Sequence, residues 1–180
     1  MCKEKKCIID IETQNYLPWD NSRIICIGLL DLQTSTKHVF HNHSEEKLIE
    51  SFISFFNDEG FSEIIGYNIA YDVRFLLSRC LKYEKSAKNV FDAKMNDLMK
   101  VLSLSIKEKN FNKPGKLGEW SSYLFGKTTL YKNGSVNELF IKGNIDEIIA
   151  HNHRDLDLTY MLWNRINTIF WKEGKTCDKQ

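Results

Sequence analysis

The stretch Asp10-Ile11-Glu12-Thr13, set at the end of the apolar run Cys7-Ile8-Ile9, constrains the fold more than any other part of the chain. An apolar run of this kind reads as a buried strand. Alternation along it puts Ile9 and Ile11 on one face and Asp10 and Glu12 on the other. Two carboxylates therefore leave one face of one strand, about 7 Å apart along the backbone. Acids that close repel one another and shift each other's pKa. A divalent cation between them removes the repulsion, and hard oxygen ligands suit Mg²⁺ or Mn²⁺. The ordinary alternative is a solvated strand end with two surface acids, and two acids alone favour it.

At 180 residues the chain is long enough to bury a sizeable core and is expected to form one domain. Its net charge of +1 supplies no strong field toward nucleic acid or a membrane. That weighs against a broad nucleic-acid platform and is compatible with an enzyme that grips a few terminal nucleotides. The cysteines Cys2, Cys7, Cys26, Cys80 and Cys177 are scattered and contain no Cys-x-x-Cys pair, so zinc is not expected. With no signal peptide and no apolar run near about 18 residues, no membrane span is expected. Free cysteines without an export signal point to the cytoplasm.

Residues 1–5 read as a polar tail, 6–171 as the domain and 172–180 as a second polar tail. After the first strand and a polar loop from Gln14 to Ser22, Arg23 to Leu32 reads as a central strand, and Lys37 to His41 as a third, antiparallel one. Ser44 is placed to cap a helix with Glu45 and Glu46 in its first turn, where the helix dipole favours acids. Leu48, Ile49, Phe52, Phe55 and Phe56 recur at helical spacing, and Gly60 stops the helix. Ile64 to Asn68 reads as a strand and its exit, Tyr71 to Tyr83 as a helix with Asp72 in its first turn. Val90 to Ala93 is a short strand candidate, Asp97 to Leu104 a helix, Lys107 to Lys116 a basic loop, and Leu117 to Phe125 a helix stopped by Gly126. Between Tyr131 and Ile141, Asn133-Gly134 is a hairpin signal from which Glu138 to Ile141 could return as a strand. Asn144 and Glu147 then open a helix expected to run from Ile145 to about Trp171 with room for one break. On it His151 and Asp155 lie at i and i+4 and share a face, at the edge of a stripe continued by Leu158, Leu162 and Ile166.

Three segments in chain order resemble the three motifs of the DEDD (DnaQ-like) 3′–5′ exonucleases, in the branch that contains the proofreading domains of family B DNA polymerases. Asp10-Ile11-Glu12-Thr13 resembles the first, Asp-x-Glu. Gly66-Tyr67-Asn68-Ile69-Ala70-Tyr71-Asp72 resembles the second, in which an Asn precedes an aromatic-Asp pair. His151 to Tyr160 resembles the third, Tyr-x-x-x-Asp with a Leu-Thr-Tyr-x-Leu tail. The departure is His151, which stands where that branch has tyrosine. The histidine branch has its His five residues before the Asp, and that position here is Ala150. His153 and Asp157 are expected to face solvent or to back the site.

The resemblance implies a single α/β domain of the RNase H-like fold, with a mixed central sheet, helices on both faces and the first strand in the middle. It implies that Asp10, Glu12, Asp72 and Asp155 hold two Mg²⁺ or Mn²⁺ ions about 4 Å apart for phosphodiester hydrolysis at a 3′ end. It casts His151 as the group that takes a proton from water or orients it. Thr13, Asn68 and Tyr71 become the residues beside the terminal nucleotide. The implied partners are single-stranded DNA or RNA 3′ ends and a polymerase or other nucleic-acid-processing protein. Two alternatives stay open on the residues alone. One is a nucleic-acid-binding module of the same fold with a decayed site, and the other is a two-metal endonuclease.

Overall fold

The apolar run before Asp10 becomes the centre of the sheet. In the computed structural model, which describes residues 4–20, 22–103, 115–127 and 135–171, strand β1 spans Lys5–Thr13. It is flanked by β2 (Ile24–Asp31) and β4 (Phe61–Gly66), with β3 (Thr36–His41) and β5 (Lys94–Asp97) at the edges, in the order β3-β2-β1-β4-β5. The β1–β2 and β2–β3 pairings are antiparallel, and β1–β4 and β4–β5 are parallel. This is the mixed sheet expected of the chain.

Alternation along β1 divides the core in two. Cys7, Ile9 and Ile11 pack with Ile27, Leu29, Phe52, Phe56 and Val73 on the face covered by α1 (Glu45–Glu59) and α2 (Ile69–Lys82). Full burial of side chains such as Phe52 and Phe56 contributes about 1.5–3 kcal/mol each. Ile8 points the other way, to Ile65, Leu98, Leu156, Leu162 and Ile166, beneath α5 (Leu117–Phe125) and α7 (Ile145–Ile166). Asp10 and Glu12 share the face of Ile8 and so look toward α7. Gly60 ends α1 in the left-handed region (φ 69°), as its place after the periodic residues predicts.

Two expectations along the chain need correction. Val90 to Ala93 is not a strand. Residues Lys88–Asp92 form the short helix α3, with Phe91 N–H bonded to Ala87 O at 2.9 Å and a Lys88–Asp92 ion pair one turn apart. The strand comes next, over Lys94–Asp97, where parallel pairing to Ile64, Ile65 and Gly66 sets it rather than any apolar alternation of its own. The expected helix then starts one residue late, as α4 (Leu98–Ser103), because Asp97 Oδ1 accepts from Met99 N at 3.1 Å in the manner of a cap.

The second correction concerns Glu138 to Ile141, which belong to a helix, α6 (Val136–Ile141). Ser135 and Glu138 close a capping box across its start, at 3.3 and 3.0 Å. The last helix runs from Ile145 to Trp171 as expected, with one break where α7 passes into a π-helical turn at Asn167–Trp171. The Asn133-Gly134 hairpin signal and the Lys107–Lys116 loop up to residue 114 lie outside the described residues. Among the described residues no helix is long and apolar enough to cross a membrane.

Candidate active site

Strand β4 pairs with β1 no further than Ile8–Ile65, so the β1 edge beyond it has lost its ladder partner. Asp72 takes that place. Its Oδ1 accepts the N–H of Ile11 at 3.0 Å, from the first turn of α2. The helix is aimed there by a tight turn through Asn68, whose backbone is left-handed (φ 60°, ψ 34°), a conformation asparagine tolerates better than most residues. The N–H of Asn68 is in turn held by Asp97 Oδ1 at 2.9 Å. On the other side of β1 the register slips: Glu12 faces Cys26 but Thr13 faces Ile24, which leaves Ile25 as an extra residue in β2. A bulge of this kind bends the strand and re-aims its side chains. Here it sits beside Glu12.

Helix α7 lies across the acid-bearing face of β1 and β2. Its buried stripe runs through Ile148, Asn152, Leu156, Thr159, Leu162 and Ile166, with His151 and Asp155 along one edge. His151 Nδ1 lies 2.7 Å from Glu12 Oε1 and 3.8 Å from Asp155 Oδ2. Glu12, His151 and Asp155 present ligand atoms all within 4.8 Å of one another. Asn152 Nδ2 donates to the carbonyl of Asp10 at 2.9 Å and to Asp10 Oδ2 at 2.8 Å.

Burial and mutual repulsion hold Asp10, Asp72 and Asp155 above the ordinary carboxylate range. Burial pushes the Asp10 carboxyl well above its ordinary range, and Glu12, Asp72 and Asp155 push it further, against the Asn152 amide. Burial raises Asp72 to about 8, with Glu12 and Asp97 adding to it and the Ile11 N–H opposing. Asp155 rises to about 6 through burial and the charge of Glu12, with His151 opposing. For His151, burial pulls the imidazole down, but the hydrogen bond to Glu12 and the charges of Glu12 and Asp155 outweigh it, so its pKa is raised. Among the described residues no lysine or arginine forms an ion pair with Asp10, Asp72 or Asp155, and the buried Asp155 Oδ1 has no hydrogen-bond partner. Carboxylates that repel one another, with an oxygen left unmatched, fit a hard divalent cation.

The remaining sequence-predicted residues ring the end of β1. Thr13 Oγ1 donates to Asn15 O at 2.9 Å and lies 3.1 Å from the Tyr71 hydroxyl. Asn68 is exposed at the turn. Asp157 points away, into an ion pair with Lys37 at 2.6 Å, and His153 is engaged there only through its carbonyl. Sequence reasoning missed Asn152, Gly28 and Asp97. An amide inside the otherwise mostly apolar stripe of α7 was the available signal for Asn152.

The sequence profile described as DNA polymerase family B, exonuclease domain, matches residues 7–117. That stretch contains Asp10, Glu12, Asn68 and Asp72 and ends before His151 and Asp155. Among solved structures, the family B DNA polymerase from the hyperthermophilic archaeon Pyrobaculum calidifontis matches with a TM-score of 0.73 and 15% sequence identity, over 91% of this chain and 24% of that one. At that identity the likeness speaks for the fold, and the chain spans about a quarter of the polymerase's length. No curated protein matches the chain in sequence.

Proposed function

The chain belongs to the family of family B DNA polymerase exonuclease domains, and from that premise we propose that it is a metal-dependent 3′–5′ exonuclease. Its substrate is the 3′ end of single-stranded DNA or RNA, and its products are nucleoside 5′-monophosphates. The observation that carries the reading is that Asp10 and Glu12 from β1, Asp72 from α2 and Asp155 from α7 lie close enough to raise one another's pKa in a partly buried place, without a lysine or arginine ion pair to Asp10, Asp72 or Asp155 among the described residues.

Those four carboxylates would hold two Mg²⁺ or Mn²⁺ ions, which when bound supply an activated water and neutralise the phosphate as its bond to the leaving oxygen breaks. The chain's own groups do the rest. The Ile11 N–H braces Asp72 so that it meets the acids of β1 at a fixed position. Glu12 and Thr13 stand at the end of β1 beside the terminal 3′-hydroxyl, and the Thr13–Tyr71 pair forms a wall against the last nucleotide. Asn68 offers an exposed amide at the adjoining turn. With Nδ1 of His151 on Glu12, the proton it exchanges with water is carried at Nε2. The reading includes association with a polymerase or another nucleic-acid-processing protein as the source of such 3′ ends.

The test is a gel assay on 5′-labelled single-stranded oligonucleotides, DNA and RNA in parallel, with Mn²⁺, Mg²⁺ or EDTA. A metal-dependent ladder that shortens from the 3′ end is expected. No degradation by folded protein in any metal would favour the binding module instead. Cleavage of a circular substrate would favour the endonuclease.

A further inference from the structure

Asn152 reaches deeper into the sheet than its polarity predicts. Its side chain is fully buried, and its amide nitrogen touches Asp10 twice, at the backbone oxygen (2.9 Å) and at carboxylate Oδ2 (2.8 Å). Both partners are acceptors, which fixes the amide with its NH₂ group toward Asp10. The amide oxygen is turned toward β2, where the residue opposite Asp10 is Gly28. A Cβ at position 28 would stand 1.9 Å from Asn152 Oδ1, 2.8 Å from its Cγ and 2.9 Å from Leu156 Cδ1. Gly28 is not among the residues with left-handed backbone, so the strand needs this glycine for room and not for its dihedral angles. Asn152 Oδ1 accepts no hydrogen bond among the described residues. Leucine would fill the same volume without burying an unmatched oxygen, so the amide's value lies in what its nitrogen holds.

We propose that Asn152 is a positioning residue for the metal centre. In the room made by Gly28, its amide ties the Asp10 carboxylate to the Asp10 backbone, fixing the side-chain rotamer and leaving the other carboxylate oxygen for a divalent cation. Groups that orient a ligand in this way typically change metal affinity or activity about 10–100-fold when removed. The inference rests on the exonuclease reading of the acid cluster, but it can be measured apart from it.

The experiment titrates Mn²⁺ into the full chain, with free Mn²⁺ read by electron paramagnetic resonance, for wild type, Asn152→Ala, Gly28→Ala and the double variant. Thermal melts in EDTA establish that each is folded, and kcat and KM are taken on the oligonucleotide. Asn152→Ala is expected to bind Mn²⁺ about 10–100-fold more weakly and to lose kcat rather than raise KM. Gly28→Ala is expected to do the same alone, and to add no more than about twofold once Asn152 is alanine, because the two act through one contact. Should the alanine variant fail to fold, Asn152→Leu keeps the volume and repeats the test. Wild-type affinity in a folded Asn152 variant, or an equal Gly28→Ala penalty in both backgrounds, overturns the proposal. Mn²⁺ binding by wild type without oligonucleotide degradation would sink the exonuclease reading alone. Failure of wild type to bind Mn²⁺ would sink both.

Discussion

Glu12 and Glu45 are buried to a similar degree, 7% and 5% exposed, and both lie beside the first residues of β2. Their surroundings differ. Glu45 Oε1 accepts from Ile24 N at 2.7 Å and Arg79 Nε at 2.8 Å, while Oε2 accepts from the Tyr83 hydroxyl at 2.8 Å and from a second Arg79 nitrogen. Arg79 also donates to Pro18 O at 3.1 Å, so the network ties α1, α2, β2 and the loop after β1 together. A cleft of about 910 Å³ opens over it, lined by Trp19, Arg23, Arg79 and Tyr83 among others. Glu12, by contrast, has His151 Nδ1 at 2.7 Å and otherwise faces Asp10, Asp72 and Asp155, each held above its ordinary pKa. One cluster has its compensating charge built in. The other concentrates negative charge that a cation from solution would relieve. The cleft thus lies over the compensated cluster, while the mutually repelling carboxylates lie elsewhere.

The difference can be broken from either side. The largest effect is expected at the open cluster. Asp10→Asn or Asp155→Asn should bring hydrolysis to background while circular dichroism shows an intact fold, and full activity in either would remove the tetrad. Next comes His151. Its replacement by alanine should lower the rate by about 10²–10⁴, the range of a general base. A loss under about tenfold would make it a spectator, and a His151→Tyr variant that keeps most activity would favour orientation of water over proton abstraction.

At the closed cluster the effect should fall on stability. Arg79→Ala breaks a buried pair and should cost about 3–5 kcal/mol in urea denaturation while leaving Mn²⁺ affinity unchanged. A smaller effect separates the clusters by pH. Asp155 and Asp72, at about 6 and about 8, keep protons in the fold that the unfolded chain gives up near its ordinary carboxylate pKa of 3.8. The folded state thus binds more protons between those limits, and metal-free stability falls as pH rises from about 4 to about 8. His151, raised in the fold, stabilises below its ordinary value of 6.5 and loses that contribution as pH rises, in the same direction. Mn²⁺ at a hundredfold over its Kd should add about 2.7 kcal/mol, and at one fixed Mn²⁺ concentration the gain should be largest at the alkaline end. Thermal melts at pH 5 and pH 8, with Mn²⁺ and with EDTA, check both signs.

The alternation of β1 was legible because strand period and burial agree: Ile9 and Ile11 entered one core, and Asp10 and Glu12 the other face. Asp72 and Asp155 were legible through their motifs. What escaped depends on partners distant in sequence. Glu45 reads as a first-turn acid that suits the helix dipole, and nothing near it announces Arg79 or the Ile24 N–H. Asn152 has meaning only against Asp10 and Gly28, and the Ile25 bulge only against the β1 register. Strand β5, Lys94-Met95-Asn96-Asp97, carries no apolar alternation because pairing with β4 decides it.

The central claim is that the open cluster is a metal centre. Anomalous diffraction from a crystal of the full chain soaked in Mn²⁺ tests it most directly. Mn²⁺ peaks are expected among Asp10, Glu12, Asp72 and Asp155, absent in Asp10→Asn crystals. Occupied Mn²⁺ sites elsewhere with none at these four acids, and His151 still seated on Glu12, would contradict it.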